Sequence, residues 1–140
     1  SIRKSLEHAI RRGVRVQIMA SAKGDGPVTP DVVGQEMHKL MLKGAEVYYY
    51  DRGFHHSKVM MVDGLFCTVG TANLDARSLR FDYEVNAFIF DREVTAQLQD
   101  IFYRDIHDHC VLLTQENWKH RFPLRKRVSG RVFSSIKGFL

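Results

Sequence analysis

A histidine and a lysine, two positions apart, begin a short polar pattern that suits phosphodiester chemistry. His56 and Lys58 are followed by Asp63, Gly70 and Asn73, so the pattern reads H-x-K-x4-D-x6-G-x2-N. A neutral imidazole can attack phosphorus, and imidazolium can donate a proton, because its pKa of ~6.5 lies near neutrality. The pattern therefore predicts nucleophilic or acid–base work by His56 on a phosphate ester.

The same pattern supplies charge and hydrogen-bond donors for the phosphate oxygens. Residues i and i+2 of a strand share one face, so Lys58 is expected to place its ammonium beside the imidazole of His56. Thr71 and Asn73 offer a hydroxyl and an amide to the same oxygens. Gly70 removes a side chain where the backbone must approach closely. We therefore expect Lys58, Thr71 and Asn73 to bind the phosphate group.

Asp63 completes the pattern, but its sequence context favours a structural role for it. Asp63-Gly64 lies between the apolar runs 59–62 and 65–69, and Asp-Gly in that setting is typical of a type I′ hairpin turn. His55 falls on the opposite strand face from His56 and lies outside the spacing, so we interpret it as structural. Asp75 and Arg77 are expected to brace the loop after the motif.

The spacing resembles, position for position, the HKD signature of the phospholipase D superfamily. The surrounding residues are similar to the second half of a bacterial cardiolipin synthase, in segments 22–27, 53–58, 70–78, 83–91 and 118–121. The resemblance implies a phospholipase D-like half-domain and a phosphohistidine intermediate formed without metal or other cofactor. It counts His56, Lys58, Asp63 and Asn73 among the catalytic motif residues.

The resemblance also gives Glu84 a task. A histidine used in this way needs an acceptor at its second ring nitrogen, which fixes the tautomer and steadies imidazolium. In the family a carboxylate downstream of the motif does this, and Glu84 stands at the matching position. Asn86 would share a strand face with Glu84 and is expected to line the site. The alternative for Glu84 is a solvated charge on a strand edge.

The function implied by this resemblance is phosphatidyl transfer between two phosphatidylglycerol molecules, which yields cardiolipin and glycerol. The family builds each active site from two HKD halves, and this sequence carries the motif once, so a second half is expected in cis or through a homodimer in trans. By resemblance His56 is the acid and later the base, although the sequence does not distinguish acid from nucleophile. Two alternatives stay open: a homodimeric phospholipase D-like phosphodiesterase or nuclease, and a folded half that is inactive alone.

Composition predicts a domain with one core. The chain has 140 residues, of which 44% are hydrophobic, and it contains no apolar run of ~18 residues that would span a membrane. Full-length enzymes of the resembling family carry membrane spans and a first HKD half. The chain is therefore expected to be an excised C-terminal domain of an enzyme of the bacterial cell membrane, cytoplasmic or peripheral in its own placement.

Charge separates a basic end from the rest of the chain. Seven of the 21 Lys and Arg residues lie from Lys119 onward without any acidic residue, which leaves 14 basic and 16 acidic residues before them. A nucleic-acid enzyme more often carries positive charge around its site, so a nucleic-acid partner is not expected. The sequence suggests a domain over residues 1–118 and a basic, partly apolar tail over 119–140, which is expected to contact an anionic membrane or the missing half. The alternative is a tail that is solvated or packed against the core.

Periodicity predicts an α/β fold, with a mixed β-sheet flanked by helices. The expected helices are 2–12, ended by Gly13, 32–43, capped by Asp31, and 92–109, capped by Asp91. The expected strands are 14–20, 45–50, 57–62, 65–69 and a buried strand over 83–90. Cys67 and Cys110 give neither metal spacing nor a disulfide framework, and the run 107–110 resembles a helix end more than a metal site.

Overall fold

A computed structural model describes residues 2–24, 29–73, 78 and 82–135, without the side chains of residues 131 and 133–135. The chain forms two compact units. Residues 1–55 and 110–139 make one, here called the terminal unit, and residues 56–109 make the other, here called the motif unit. Asp75 and Arg77, with their predicted bracing role, lie outside the described residues.

Both units combine helices with strands. The helices are α1 Ile2–Arg11, α2 Thr29–Met41, α3 Arg92–His109, α4 Gln115–Arg121 and α5 Leu124–Ser135. The strands are β1 Gln17–Ser21, β2 Glu46–Tyr50, β3 Lys58–Val62, β4 Phe66–Gly70, β5 Asn86–Ile89 and β6 Cys110–Leu112.

The strands form two sheets where the sequence predicted one. In the terminal unit β2 pairs in parallel with β1 and antiparallel with β6, which makes a mixed sheet. In the motif unit β3, β4 and β5 are antiparallel and consecutive. The predicted α/β class, with a mixed sheet and flanking helices, is confirmed.

The helix ends test the local sequence signals. α3 begins as predicted, because Asp91 Oδ1 accepts a hydrogen bond from Val94 N at 2.9 Å. The interpretation of Asp31 as a cap is wrong, since α2 begins at Thr29 and Asp31 lies buried in its first turn. Pro30 occupies the second helical position, where its missing N–H is not needed, and so permits the earlier start.

The terminal unit has a continuous apolar core. Its buried members are Leu40, Ala45, Val47, Tyr49, Leu113, Trp118 and Phe122. The Trp118 ring stacks on His38 of α2 with centroids 4.2 Å apart, and it also contacts the ring of Phe122. Thr114 starts α4 with a capping box, donating its N–H to Asn117 Oδ1 and accepting from Asn117 N.

The last described residues belong to this unit. Phe122 is part of the core, and α5 lies against α2, where Gln35 Nε2 donates to Arg127 O at 3.1 Å. Gly130 makes the close approach possible, because a Cβ there would lie 2.4 Å from Asp31 O. Residues 119–135 are thus built into the terminal unit, whereas the sequence suggested a tail separate from the domain. No helix in the described ranges is long and apolar enough to cross a membrane.

Candidate active site

A tight hairpin carries the first part of the motif. Asp63 and Gly64 have φ values of 51° and 65°, and Leu65 N donates to Val62 O at 2.9 Å. Left-handed backbone at both central residues is the requirement of a type I′ turn, which confirms the predicted hairpin. Asp63 is five positions from Lys58, about 16 Å along an extended strand. Asp63 therefore holds the turn at the opposite end of β3 from Lys58.

One row of the motif-unit sheet brings Lys58, Gly70 and Asn86 side by side. Gly70 pairs with Lys58 on β3 and with Asn86 on β5. Residues directly opposed in antiparallel strands present their side chains on one face. Asn86 therefore lies in the part of the sheet that carries Lys58, and its predicted lining of the site stays a prediction.

Gly70 is required by a close approach from β5. A Cβ at Gly70 would lie 1.8 Å from Asn86 Oδ1 and 2.3 Å from Val85 O, distances that no side chain tolerates. The Asn86 amide occupies this position, and its Oδ1 accepts a hydrogen bond from Ala72 N at 3.3 Å. The prediction that Gly70 permits backbone approach is confirmed, with β5 as the approaching element.

The side chain of Lys58 is hydrogen-bonded to the backbone of His56. Lys58 is the first residue of β3, and His56 lies two residues before it, outside any helix or strand. Lys58 Nζ donates a hydrogen bond to the backbone oxygen of His56 at 2.9 Å. The side chain of His56 is exposed and that of Lys58 is half-buried. The Lys58 ammonium is thus bonded to the backbone of His56, and the catalytic pairing of the two side chains stays a prediction.

Thr71 clamps the segment that leads into β5. Its backbone N–H donates to Val85 O at 3.0 Å, and its Oγ1 accepts from Val85 N at 3.0 Å. Oγ1 also donates weakly to Val85 O at 3.4 Å. The hydroxyl that the sequence assigned to phosphate binding therefore contacts the protein backbone. This positioning role was not expected, because nothing local in the sequence links residues 14 apart.

Glu84 and Asn73 lie on either side of this clamp. Glu84 directly precedes Val85 and is half-buried, so the two Thr71–Val85 backbone contacts set the course of its main chain. Asn73 follows Thr71 by two residues and is exposed. The orientation of His56 by Glu84 and the phosphate contact of Asn73 stay predictions.

The predicted buried strand over 83–90 is wrong in length and burial. β5 begins only at Asn86, and Phe88 and Phe90 are 63% and 79% exposed. β5 is an edge strand of its sheet, and among the described residues no further strand pairs with its outer edge. Alternating apolar residues signalled a strand correctly but could not show which strand lies at the edge.

His55 has a structural environment, in agreement with its interpretation from sequence. The centroids of the His55 and Tyr50 rings are 5.0 Å apart, and the backbone N–H of His55 donates to Ser21 Oγ at 3.0 Å. Ser21 Oγ in turn contacts Gly53 O at 3.5 Å. Ser21 therefore anchors the segment that precedes the motif, a role that only the fold reveals.

Potential metal ligands do not gather in the part of the chain that the structure describes. No group of three or more His, Cys, Asp or Glu side chains there could hold a metal ion. In the 107–110 run, His107 Nδ1 lies 2.6 Å from Asp108 Oδ1 at the exposed end of α3. Cys67 is buried and Cys110 half-buried, and neither forms a disulfide.

Comparison with known proteins places this geometry in context. Residues 1–106 match the family described as "Cardiolipin synthase, PLD-like domain". The chain is 37% identical to the probable cardiolipin synthase YwiE of Bacillus subtilis over 137 residues, which cover 97% of this chain and 27% of that protein. It is 42% identical to the cardiolipin synthase of Oceanobacillus iheyensis over 106 residues, 76% of this chain and 22% of that protein. The chain thus spans about a quarter of the length of these relatives.

A solved structure shares the fold. The phospholipase D family member Nuc from Salmonella typhimurium aligns with a TM-score of 0.69 at 20% sequence identity. The alignment covers 81% of this chain and 74% of that one. At this identity the likeness concerns architecture, and it agrees with the α/β class found here.

Proposed function

The chain belongs to the phospholipase D-like domain family of cardiolipin synthases, and from that premise we propose that it supplies one HKD half of a phosphatidyltransferase site. The donor is one phosphatidylglycerol, the acceptor is a second, and the products are cardiolipin and glycerol. The observation that carries the proposal is the hairpin that fixes Lys58 against His56 and aligns it with Gly70 and Asn86.

The reaction needs a histidine on each side of phosphorus. One imidazole attacks, a P–N bond forms, and the P–O bond to glycerol breaks while the opposite histidine protonates the leaving oxygen. The hydroxyl of the second phosphatidylglycerol then attacks, returns its proton to that same histidine, and breaks the P–N bond. We assign His56 the acid and later the base role. Glu84 would accept a hydrogen bond from its second ring nitrogen.

Phosphate charge is balanced in this scheme by donors near His56. Lys58 supplies an ammonium, and Asn73 an amide, to the non-bridging oxygens, where charge-assisted hydrogen bonds are strongest. Thr71 joins them if its long 3.4 Å contact to Val85 O is exchanged for a phosphate oxygen. Its main contribution in the scheme is to position Glu84 and Asn86.

The scheme also requires a partner. One His56 cannot hold a covalent phosphate and protonate the leaving oxygen on the far side of the same phosphorus. The second half is therefore another HKD domain, supplied in cis, or a second copy of this chain in a homodimer. The site would work at the surface of a bacterial membrane that contains phosphatidylglycerol.

Helix α5 supports contact with such an anionic surface. Leu124, Val128 and Val132 recur every four residues, so they share one helix face, and all three are more than half exposed. Arg125 and Lys126 are exposed beside them. An apolar face flanked by cations suits a helix lying in a membrane interface. Cosedimentation with phosphatidylglycerol vesicles should fall in Val128→Glu, and equal binding by the variant would refute this contact.

Turnover measured together with mass in solution tests the half-site. The purified chain is incubated with phosphatidylglycerol vesicles, and cardiolipin and free glycerol are quantified across protein concentrations. Monomer should show essentially no turnover, and activity should appear with dimer formation or on addition of a second HKD domain. Robust cardiolipin formation by a strict monomer would overturn the half-site. Cleavage of DNA without cardiolipin formation would overturn the choice of lipid substrate.

A further inference from the structure

The terminal unit contains a second polar cleft, which the proposed phosphatidyl transfer does not use. Its volume is about 250 Å³, and it opens where the parallel strands β1 and β2 end. Lys23 and Asp51 lie just after these strands, Tyr49 lies in β2, and Arg121 and Lys126 come from the end of α4 and from α5. The carboxyl ends of parallel strands are a common place for ligands in α/β folds.

The cleft carries a net positive charge. The guanidinium of Arg121 donates two hydrogen bonds to the Asp51 carboxylate, at 2.9 and 2.7 Å. These bonds hold the pKa of Asp51 below its ordinary value, so the carboxylate stays charged and balances Arg121. Lys23 and Lys126 then remain as the excess charge in the lining.

Tyr49 adds a donor that the described fold leaves unused. The residue is 2% exposed, and its hydroxyl makes no hydrogen bond with any described residue. Burial raises the pKa of this phenol well above its usual range, so it keeps its proton at neutral pH. Arg121 lies over the ring, with its guanidinium carbon 5.1 Å from the ring centroid, and fixes the ring in place. A buried hydroxyl without a hydrogen-bond acceptor is costly, which favours a ligand that accepts a hydrogen bond from it.

We propose that this cleft binds a phosphate oxyanion, either as inorganic phosphate or as the phosphate of a glycerophospholipid headgroup. Lys23, Tyr49 and Lys126 line the cleft from the segment after β1, from β2 and from α5, and a phosphate oxyanion has enough oxygens to accept from all three donors. The volume is below the ~300 Å³ of the smallest drug-sized pockets, so it accommodates a headgroup but not acyl chains. Every lining residue belongs to the terminal unit, so the site is built from residues other than those of the HKD motif.

Titration of the full chain with inorganic phosphate and with glycerol 3-phosphate, followed by calorimetry and by backbone amide shifts, tests the proposal. Tyr49→Phe removes the hydroxyl alone, and Lys126→Gln removes one cation. Each should weaken phosphate affinity about tenfold, because each removes a hydrogen bond to a charged ligand. Lys43→Gln is the matched control, since Lys43 is an exposed lysine of the terminal unit that does not line the cleft. Its affinity should equal that of the unsubstituted chain.

Three outcomes would overturn the site. They are the absence of saturable phosphate binding, wild-type affinity in both Tyr49→Phe and Lys126→Gln, and equal affinity for acetate. Phosphate binding should persist in Lys58→Ala. Loss of phosphate binding in this variant would mean that the anion binds at the HKD half and not in the cleft. Phosphate binding in the cleft does not depend on cardiolipin formation. The cleft proposal and the phosphatidyl-transfer proposal can therefore be refuted independently.

Vesicles distinguish the two sources of phosphate. If inorganic phosphate and Tyr49→Phe both reduce cosedimentation with phosphatidylglycerol vesicles, the ligand is the lipid headgroup. If neither changes cosedimentation while phosphate binding persists, the ligand is the free ion. Thermal unfolding of Tyr49→Phe should match or exceed that of the original chain, because the variant removes an unpaired buried hydroxyl. This measurement excludes misfolding as the cause of lost affinity.

Discussion

The terminal unit and the motif unit bury their side chains very unequally. The terminal unit encloses seven buried hydrophobic residues, among them Trp118 and Phe122 in one ring cluster. In the motif unit, Cys67 is the single buried hydrophobic side chain among those described. Several of its large apolar side chains are instead exposed, namely Val59, Met60, Val69, Phe88 and Phe90.

This difference separates the source of stability from the source of chemistry. Each buried large apolar side chain contributes ~1.5–3 kcal/mol, so most hydrophobic stabilisation lies in the terminal unit. The motif unit holds its reactive residues by backbone pairing, by the Thr71–Val85 clamp and by the close packing of Asn86 over Gly70. The geometry of the motif unit depends on a few specific contacts, whereas the stability of the terminal unit depends on the number of apolar side chains that it buries. Trp118, the only tryptophan, reports on the terminal unit alone.

The largest expected effect is a loss of transfer activity without a loss of stability. His56→Ala and Lys58→Ala, placed in an active two-half assembly, should each lower transfer ~10²-fold or more, because each removes a group that we propose acts directly on the phosphate. Both residues lie outside the terminal core, so the Trp118 unfolding transition should not move. His55→Ala is the control and should retain most activity. Near-normal turnover in folded His56→Ala would mean that another residue does the chemistry.

Gly70→Ala should break the motif unit while sparing the terminal unit. The new methyl group would meet Asn86 Oδ1 and Val85 O and force β5 away from β4, at a cost of ~1–3 kcal/mol for such overpacking. Amide hydrogen exchange should accelerate in β4 and β5, and transfer should fall. Gly53→Ala is the matched control, because a Cβ there meets nothing within 4 Å. Normal exchange protection in Gly70→Ala would show that the approach of β5 is not constrained as described.

The smallest expected effect concerns acid stability of the terminal unit. Glu46 accepts hydrogen bonds from Arg15, Tyr48 and Gln17, and the Arg15 guanidinium chiefly lowers the pKa of Glu46 from 4.5 to about 2. A lowered native pKa stabilises the fold above pH 4.5, and this stabilisation is lost as pH falls from 4.5 toward 2. Because Arg15 is largely exposed, solvent screening limits the contribution to about 1 kcal/mol.

Trp118 fluorescence during urea unfolding measures this acid effect. The difference in unfolding free energy between the original chain and Glu46→Gln should be present at pH 6 and should shrink between pH 4.5 and 2. Lys39→Gln, which removes the exposed partner of Glu36, serves as a control for loss of a surface ion pair. A constant difference across this range would show that the Glu46 carboxylate does not titrate as described.

The features predicted correctly from sequence are those encoded by neighbouring residues. Asp63-Gly64 fixes a hairpin turn, and Asp91 caps α3, because each signal is complete within a few positions. The features that were missed depend on residues distant in sequence. Thr71 and Val85 are 14 positions apart, and β6 exists only because Val111 pairs with Tyr49 of β2. Composition indicated apolar strands but could not indicate which of them would become the exposed edge.

For the candidate site, the sequence predicts which residue types would react, and the structure adds the contacts that support them. The HKD spacing singled out His56 and Lys58, whose side chains the chemistry demands. The contact from Lys58 Nζ to His56 O and the placement of the Asn86 amide over Gly70 arise from strand register. Register is set by pairing across the sheet, which a linear pattern specifies only indirectly.

The division of the chain into two units also affects the order in which they can fold during synthesis. The motif unit is a continuous segment inserted between β2 and β6, whereas the terminal unit is assembled from both sides of it. Its core requires Leu113, Trp118 and Phe122, which leave the ribosome after all of residues 56–109. The pairing of Tyr50 with Cys110 closes a long loop, and such non-local contacts form slowly. The reactive hairpin is therefore complete as polypeptide before the better-packed unit can close its core, and a nascent chain exposes β1 and β2 until α4 arrives.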